Sequence, residues 1–417
     1  MTRGTPTAGT PAPLVRPAAV APRSADAWQR LRTGGFGALP IAAVLVLIGI
    51  VFQILNSAFL SSDNLVNLVQ QSAATGVVAL GVVLTLHLGQ IDLSVGAVSG
   101  LAAAVVAVGA VPWGWPLVVA VVVAIAVGAL VGLLYGAVRT RLGVPSVVFT
   151  LGGLLAITGV QLRVLGDTGS VNLPFQTWLV RFCQTTFLPQ GVSWAVVALV
   201  VAGNAAVRVH DRSRRLRVDL PAPTLASIAV RVLLLAAVLV VAVGYLGTNR
   251  GVGAVFALFV ALVALTDLAL RRTRWGRFVR AVGGDAEAAR RAGVPVRRVV
   301  VSVFVACSAL AALGGVLATG RLAAANQATG APEVALTAIA AAVIGGTSMY
   351  GGRGSAWSAL LGILVIQSIS TGLTLLNLDQ SVRLVVTGVV LAVAVVLDAL
   401  QRRAREAGPA AAVRARG

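Results

Sequence analysis

The sequence predicts an all-α protein, a polytopic transmembrane bundle of about ten to twelve spans with discontinuous helices. Of its 417 residues, 58% are hydrophobic and only 11% are charged, whereas ordinary globular domains carry about 25% charged residues. Apolar runs of about 20 residues, the length needed to cross a bilayer, recur along the chain. The runs are continuous rather than alternating, which argues against a barrel.

Taken in order, the spans are 38–56, 66–88, 92–111, 115–138, 146–165, 192–208, 226–246, 252–270, 299–318, 335–345, 355–376 and 382–400. The 146–165 span is interrupted by Gln161 and Arg163, and 335–345 is short. In the fourth span Gly128, Gly132 and Gly136 recur every four residues, a spacing that suits close helix packing. Residues 1–35, rich in Pro, Ala, Thr and Gly, read as a disordered cytoplasmic tail. A cleaved signal peptide is not expected, because the first apolar run begins late and is long. The division is therefore a tail at 1–35, a membrane domain at 36–401 and a second cytoplasmic tail at 402–417.

The net charge of +20 would suggest nucleic acid in a soluble protein. Here the arginines sit in short loops and tails, so orientation in the membrane explains them better. With both termini cytoplasmic, Arg139, Arg141, Arg208–Arg217, the loop 271–298, Arg353 and the tail from Arg402 all fall inside. Every basic residue is arginine, and a chain without lysine cannot hold a GxxxxGK[ST] phosphate loop. If ATP is used, another chain binds it. Cys183 and Cys307 lie far apart and read as packing residues. His87 and His210 cannot build a metal cluster by themselves. No catalytic set is present, so catalytic residues and metal ligands are both read as none.

Three segments break the apolar pattern. In GVVLTLHLGQIDLSVGAVSG (81–100), Asp92 stands between two spans with Gln90 and Ser94 beside it. Two readings stand together: a functional intramembrane carboxylate, or an N-cap for a helix beginning at Leu93. In AIAAAVIGGTSMYGGRGSAWSALLG (338–362), five glycines forbid a regular helix. The segment is either a tight turn between spans or a re-entrant, cavity-lining stretch. The third is the loop RRTRWGRFVRAVGGDAEAARRAGVPVRR (271–298), long and charged between two apolar spans. The external loop at about 166–191 carries a candidate amphipathic segment.

Together these stretches resemble the permease subunits of bacterial ABC importers for monosaccharides, the ribose/xylose/galactose group. GQIDLSVG (89–96), GRFVRAVGGDAEAARRAGVPV (276–296) and AIAAAVIGGTSMYGGRGS (338–355) match in order and spacing over roughly 40–400. VPSVVFTLGGLL (144–155), the FLP at 187–189 and the extra basic loop and span at about 208–246 look most like the xylose type. Departures are Asp285 in place of an asparagine, Ala335-Leu336-Thr337 in place of Glu-Leu-Asp, and Thr371-Gly372 in place of Asn-Gly.

The resemblance implies a homodimer of permeases, a cytoplasmic ABC ATPase that binds ATP and magnesium, and an extracytoplasmic sugar-binding protein. It implies no cofactor in this chain, no enzyme activity of its own and a place in the bacterial inner membrane. The ATPase-coupling residues it points to are Gly283, Gly284, Asp285, Glu287, Ala288, Ala289, Arg290 and Gly293. Gly283-Gly284 would set a turn, Asp285 would cap a helix running to Arg291, and Gly293 and Pro295 would end it. The small alanines would seat that helix in an ATPase cleft. A solvated amphipathic connector is the plainer alternative. Pathway residues are Gln90, Asp92, Ser94, Gly96, Gly345, Gly346, Thr347 and Ser348. Within the spans, polar groups suited to a neutral sugar are few: Gln53, Gln70, Gln71, Thr85, Gln161, Gln367, Ser368 and Ser370. A stand-alone secondary sugar transporter is the competing function. It would need an intramembrane relay of ionisable groups, for which Asp92 and Asp267 are the candidates.

Overall fold

The computed structural model describes residues 39–379, 381–386, 388–389, 392–393 and 396. The two expected tails and about half of the last expected span, 382–400, lie outside these residues. The elements are α1 (Leu39–Leu55), α2 (Ser62–His87), α3 (Val95–Ala110), α4 (Leu117–Leu142), α5 (Ser146–Leu165), β1 (Ser170–Asn172), α6 (Trp178–Gln184), α7 (Gln190–Leu216), α8 (Leu225–Leu246), α9 (Ala254–Arg272), α10 (Arg274–Gly284), α11 (Ala286–Arg291), α12 (Val296–Leu322), β2 (Ala324–Asn326), α13 (Pro332–Ile344) and α14 (Trp357–Leu375). Among the described residues eight helices are long and apolar enough to cross a membrane, and α1, α3 and α13 are shorter apolar helices. The chain is an all-helical, polytopic bundle.

Burial sorts the helices into a centre and a rim. In its apolar window α2 is 83% buried and α12 is 61% buried, against 6% for α8 and 11% for α5 and α7. α2 packs on α12, α13, α14 and α9, while α12 also packs on α3 and α4. The α7–α8 hairpin packs chiefly on itself, and its exposed Leu199, Leu233 and Val241 suit contact with lipid. Helices apolar all round belong in a bilayer or a core.

The glycine stripe of α4 works as its spacing predicts. A Cβ on Gly128 would stand 2.7 Å from the Ser308 carbonyl, one on Gly136 2.6 Å from the Val301 Cα, and one on Gly132 would collide with the Phe304 carbonyl. Backbone therefore meets backbone along the α4–α12 seam.

Helix ends follow local chemistry. The Ser61 hydroxyl accepts from the Asn64 N–H to cap α2, and Thr224 caps α8 from Ser227. α4 ends in a left-handed Gly143, with Arg139 and Arg141 in its last turn. Several expected boundaries shift. α7 runs on through Arg208–Leu216, so most of the basic cluster expected in a loop is helical. α3 begins at Val95 rather than 92, and α12 at Val296 rather than 299. The loop at 166–191, expected to be external and to carry an amphipathic segment, holds a short helix, α6. Its Cys183 and the distant Cys307 are both free and buried, and burial pushes the Cys183 thiol up to about 12, leaving it unreactive.

A two-stranded antiparallel ladder joins distant loops, pairing Ser170 with Asn326, Val171 with Ala325 and Asn172 with Ala324. From β2 the chain turns back between helices. The Gln161 amide donates to the Thr329 carbonyl at 2.8 Å, and the Gly330 carbonyl would meet a Cβ on Gly96 at 3.0 Å. Gly96 is fourteen residues before the end of α3 at Ala110, about 20 Å along a helix. α13 thus starts deep inside the bundle. The re-entrant stretch is 327–331, and the sequence gives it no glycine-rich signature.

A valine at Gly132 is expected to lower stability by about 1–3 kcal/mol through overpacking, whereas a valine at Gly152, which has nothing within 4 Å, is expected to be near neutral. Thermal unfolding of the detergent-purified protein separates the two, and equal midpoints would rule out the tight seam.

Candidate functional site

The segment expected to couple to an ATPase is two helices meeting at an elbow, α10 and α11. α10, expected as loop, is strongly amphipathic because its arginines and apolar residues segregate. Thr273 caps it by accepting from the Gly276 N–H at 3.1 Å. Trp275 Nε1 donates to Ser302 Oγ at 2.8 Å, and an Arg280 terminal nitrogen donates to the Leu270 carbonyl at 2.6 Å. These bonds fold α10 back against α9 and α12. α11 has six residues, too few to hold a helix unaided. Asp285 caps it, its Oδ1 accepting from Glu287 N–H and Ala288 N–H at 2.9 Å each. Glu287 pairs with Arg290 at 3.0 Å and with Arg291 at 3.4 Å, exposed pairs worth little individually. Gly293 is left-handed at φ 79° and ends the helix. Of the two alanines thought to seat in a partner cleft, Ala289 is buried against its own chain and Ala288 faces outward.

Gly283 and Gly284 do not make the turn. Both lie in α10, and the bend falls at Asp285, in extended backbone at φ −158°, ψ 108°. Gly283 is small for another reason: a Cβ there would collide with the His87 carbonyl and stand 2.9 Å from the Gly352 N–H. The Gly352 N–H donates to that same His87 carbonyl at 2.9 Å. A Cβ on Gly351 would lie 2.6 Å from the Gly283 carbonyl and 2.9 Å from the Gly89 nitrogen. Three backbones meet here: the end of α2, the α10–α11 elbow, and the loop between α13 and α14. Gly346, Gly351, Gly352 and Gly354 all have positive φ, so this loop turns sharply, and it packs on the Gly283–Gly284 end of α10.

Residues 88–94 leave helical geometry, and α5 satisfies the freed donors. Ile91 N–H donates to Ser146 Oγ at 3.3 Å and Leu93 N–H to Thr150 Oγ1 at 3.2 Å. Asp92, fully buried, accepts at Oδ1 from both the Ser94 N–H (2.9 Å) and the Ser94 hydroxyl (2.7 Å). It therefore braces the residue that begins α3 instead of capping the helix directly. Its Oδ2 has no hydrogen-bond partner, and the Tyr135 hydroxyl lies close by, beside Ser94. Gln90 accepts from Arg139 Nε at 2.9 Å and lines a groove of about 800 Å³ beside α11. Gly345 would clash with the Ser358 carbonyl if it carried a Cβ. Thr347 is buried with its hydroxyl unpartnered, and Ser348 N–H donates to the Arg353 carbonyl at 3.2 Å. Most of the residues read as a pathway are thus sealed in protein, at the roots of α3 and α14. Asp267 is held by Arg271 at 2.9 Å and by Ser355 at 3.4 Å, as a charge pair at the helix end.

A polar lane runs elsewhere. Asp63, Asn67, Gln71 and Thr75 recur every four residues on α2, and all four are partly or wholly exposed. Opposite them α14 presents Gln367, Ser370 and Thr374. Gln367 Nε2 donates to Gln71 Oε1 at 2.9 Å and to Thr371 Oγ1 at 3.3 Å. At the lane's end Arg250 reaches Asp63 at 2.7 Å and Asn67 at 2.8 Å. Gln71, Gln367 and Ser370 were visible as isolated polar residues. Spacing by four on α2 was the signal that would have joined the rest.

Asp92→Ala removes both bonds to Ser94 and is expected to cost about 1–2 kcal/mol. Asp92→Asn keeps an accepting oxygen and should lose less than half of that. Thermal unfolding measures both, and equal losses would remove Asp92 from this bracing role.

The family described as branched-chain amino acid transport system / permease component matches residues 64–395. The xylose transport system permease protein XylH of Escherichia coli K12 is 32% identical over 381 residues, covering 89% of this chain and 96% of the relative. The ribose import permease protein RbsC of Bacillus subtilis is 31% identical, covering 86% and 91%. The fructose import permease protein FrcC of Rhizobium meliloti is 29% identical, covering 85% and 83%. No solved structure gives a significant match. An all-helical bundle in which eight of the described helices are long and apolar enough to cross a membrane, with relatives of this kind, makes the chain a member of the ABC transport permease family, among its sugar permeases, and a multi-pass inner-membrane transport subunit.

Proposed function

We propose that this chain forms the membrane pore of an ATP-driven importer for xylose or a related monosaccharide. A homodimer takes sugar from an extracytoplasmic binding protein, and a separate cytoplasmic ATPase supplies ATP and magnesium. Both termini and α11 face the cytoplasm. The observation that supports this most is the three-way backbone junction at Gly283, His87 and Gly352. A push on α11 reaches the end of α2 and the root of α14 without passing through a flexible side chain. Packed elements of this kind shift as units between discrete arrangements.

The lane of Asn67, Gln71, Thr75, Gln367 and Ser370 supplies hydroxyls and amides, the groups a neutral sugar exchanges for water. It supplies few charges, in keeping with loose contacts and with selectivity residing in the binding protein. Among the described residues Asp267 is paired with Arg271 and Asp92 is bonded at one oxygen to Ser94, an arrangement that gives a proton relay little support and speaks against a stand-alone transporter.

Co-expression with a cognate ATPase tests the coupling role. Ala288→Trp places bulk on an exposed position, so the melting temperature should hold while ATPase co-purification falls at least ten-fold. Unchanged co-purification would overturn the docking assignment. For the lane, Gln71→Leu with Gln367→Leu should retain assembly and ATP hydrolysis yet reduce uptake into proteoliposomes at least ten-fold. Full uptake in that double variant would place the sugar path elsewhere.

A further inference from the structure

A groove of about 460 Å³ opens between the end of α4 and the start of α12. Its floor is apolar, formed by Leu133, Ala137 and Val301, and its rim carries Arg141, Arg297 and Arg298. All three arginines are exposed. Among the described residues none of them makes a side-chain hydrogen bond or ion pair. No carboxylate lines this groove or the larger one beside it, which shares Arg297 and Arg298.

Depth and neighbours indicate what fits. Leu133 lies nine residues before the end of α4 at Leu142, about 13 Å along the helix, so the floor descends into the apolar belt. Leu130 and Leu134 beside it are 64% and 60% exposed, a surface suited to acyl chains. Ser302, on the groove wall, is held by the Trp275 indole at 2.8 Å, and tryptophans of this kind sit at the headgroup level. Orientation in the membrane calls for positive charge in this region but not for three unpartnered guanidinium groups converging on one concavity. Guanidinium forks match phosphate oxygens in pairs, and basic pockets between helices at the membrane edge bind anionic headgroups. A carboxylate from a protein partner could reach the rim but would leave Leu133 and Val301 uncovered.

We propose that this groove is a binding site for an anionic phospholipid, its phosphate held by Arg141, Arg297 and Arg298 and one acyl chain lying over Leu133 toward Leu130. The full-length protein is reconstituted in vesicles of phosphatidylcholine and phosphatidylglycerol, and the lipid retained after extraction is measured by native mass spectrometry. Wild type should retain phosphatidylglycerol in preference to phosphatidylcholine. Replacing all three arginines by glutamine should weaken that preference on the order of a hundred-fold. Replacing them by lysine, which keeps the charge for insertion, should weaken it only several-fold. The triple change Arg212→Gln, Arg214→Gln and Arg215→Gln removes equal charge elsewhere and should leave retention intact. The proposal fails if the groove variant retains phosphatidylglycerol like wild type, or if the control loses it equally. It also fails if phosphatidylglycerol raises the melting temperature of the detergent-purified protein no more than inorganic phosphate alone does. A glutamine variant that loses the ATPase subunit with lipid retention unchanged would overturn it in favour of a protein contact.

Discussion

Inside an apolar bundle no water stands ready to receive a free N–H or C=O, so each interruption of a helix must be sealed by protein. Much of this architecture follows from that constraint. The break at 88–94 is closed by the hydroxyls of Ser146 and Thr150 and by the Asp92 carboxylate. The re-entrant turn at 327–331 is closed by the Gln161 amide. The end of α2 is closed by the Gly352 N–H. Each seal ties two or three elements together, so none of the broken helices can move alone.

The junction at His87, Gly283 and Gly352 shows how small residues turn a seal into a linkage. A side chain at Gly283 would push the elbow away from α2 and place a compliant layer between them. With glycine on the contacting strands, backbone touches backbone, and displacement of one segment is displacement of its neighbours. The glycines of α4 do similar work against α12 over a longer seam. Together they give the bundle a stiff centre of α2, α3 and α12, while α7 and α8 stand outside it as an appended hairpin.

Charge is handled in the same economical way. Asp267 is paired with Arg271 at a helix end, and Glu287 with Arg290 and Arg291 on α11. Three arginines without partners, Arg141, Arg297 and Arg298, share the rim of the groove between α4 and α12. Polar groups that remain partly exposed line up along α2 and α14. Apart from the buried Asp92, the charged residues of these pairs and of the groove rim thus sit at helix ends, and the uncharged polar ones form a lane on α2 and α14.

Hydropathy alone determined the class of this protein and most of its helices, because the length of an apolar run is a direct response to bilayer thickness. The capping of α11 by Asp285 and the close approach along Gly128, Gly132 and Gly136 were legible for a similar reason: both depend on residues within one or two turns. The amphipathic α10 was missed because its arginines masked a helical period. The re-entrant turn was missed because its seal, Gln161 to Thr329, joins residues 168 apart in sequence. The role of Gly283 changed from turn former to contact point because only packing reveals what a missing Cβ would strike. The lane of polar side chains emerged when α2 and α14 were brought face to face. Local chemistry wrote the elements; which breaks are sealed, which glycines touch and which polar groups stay open were decided by long-range packing, where no single segment carries the signal.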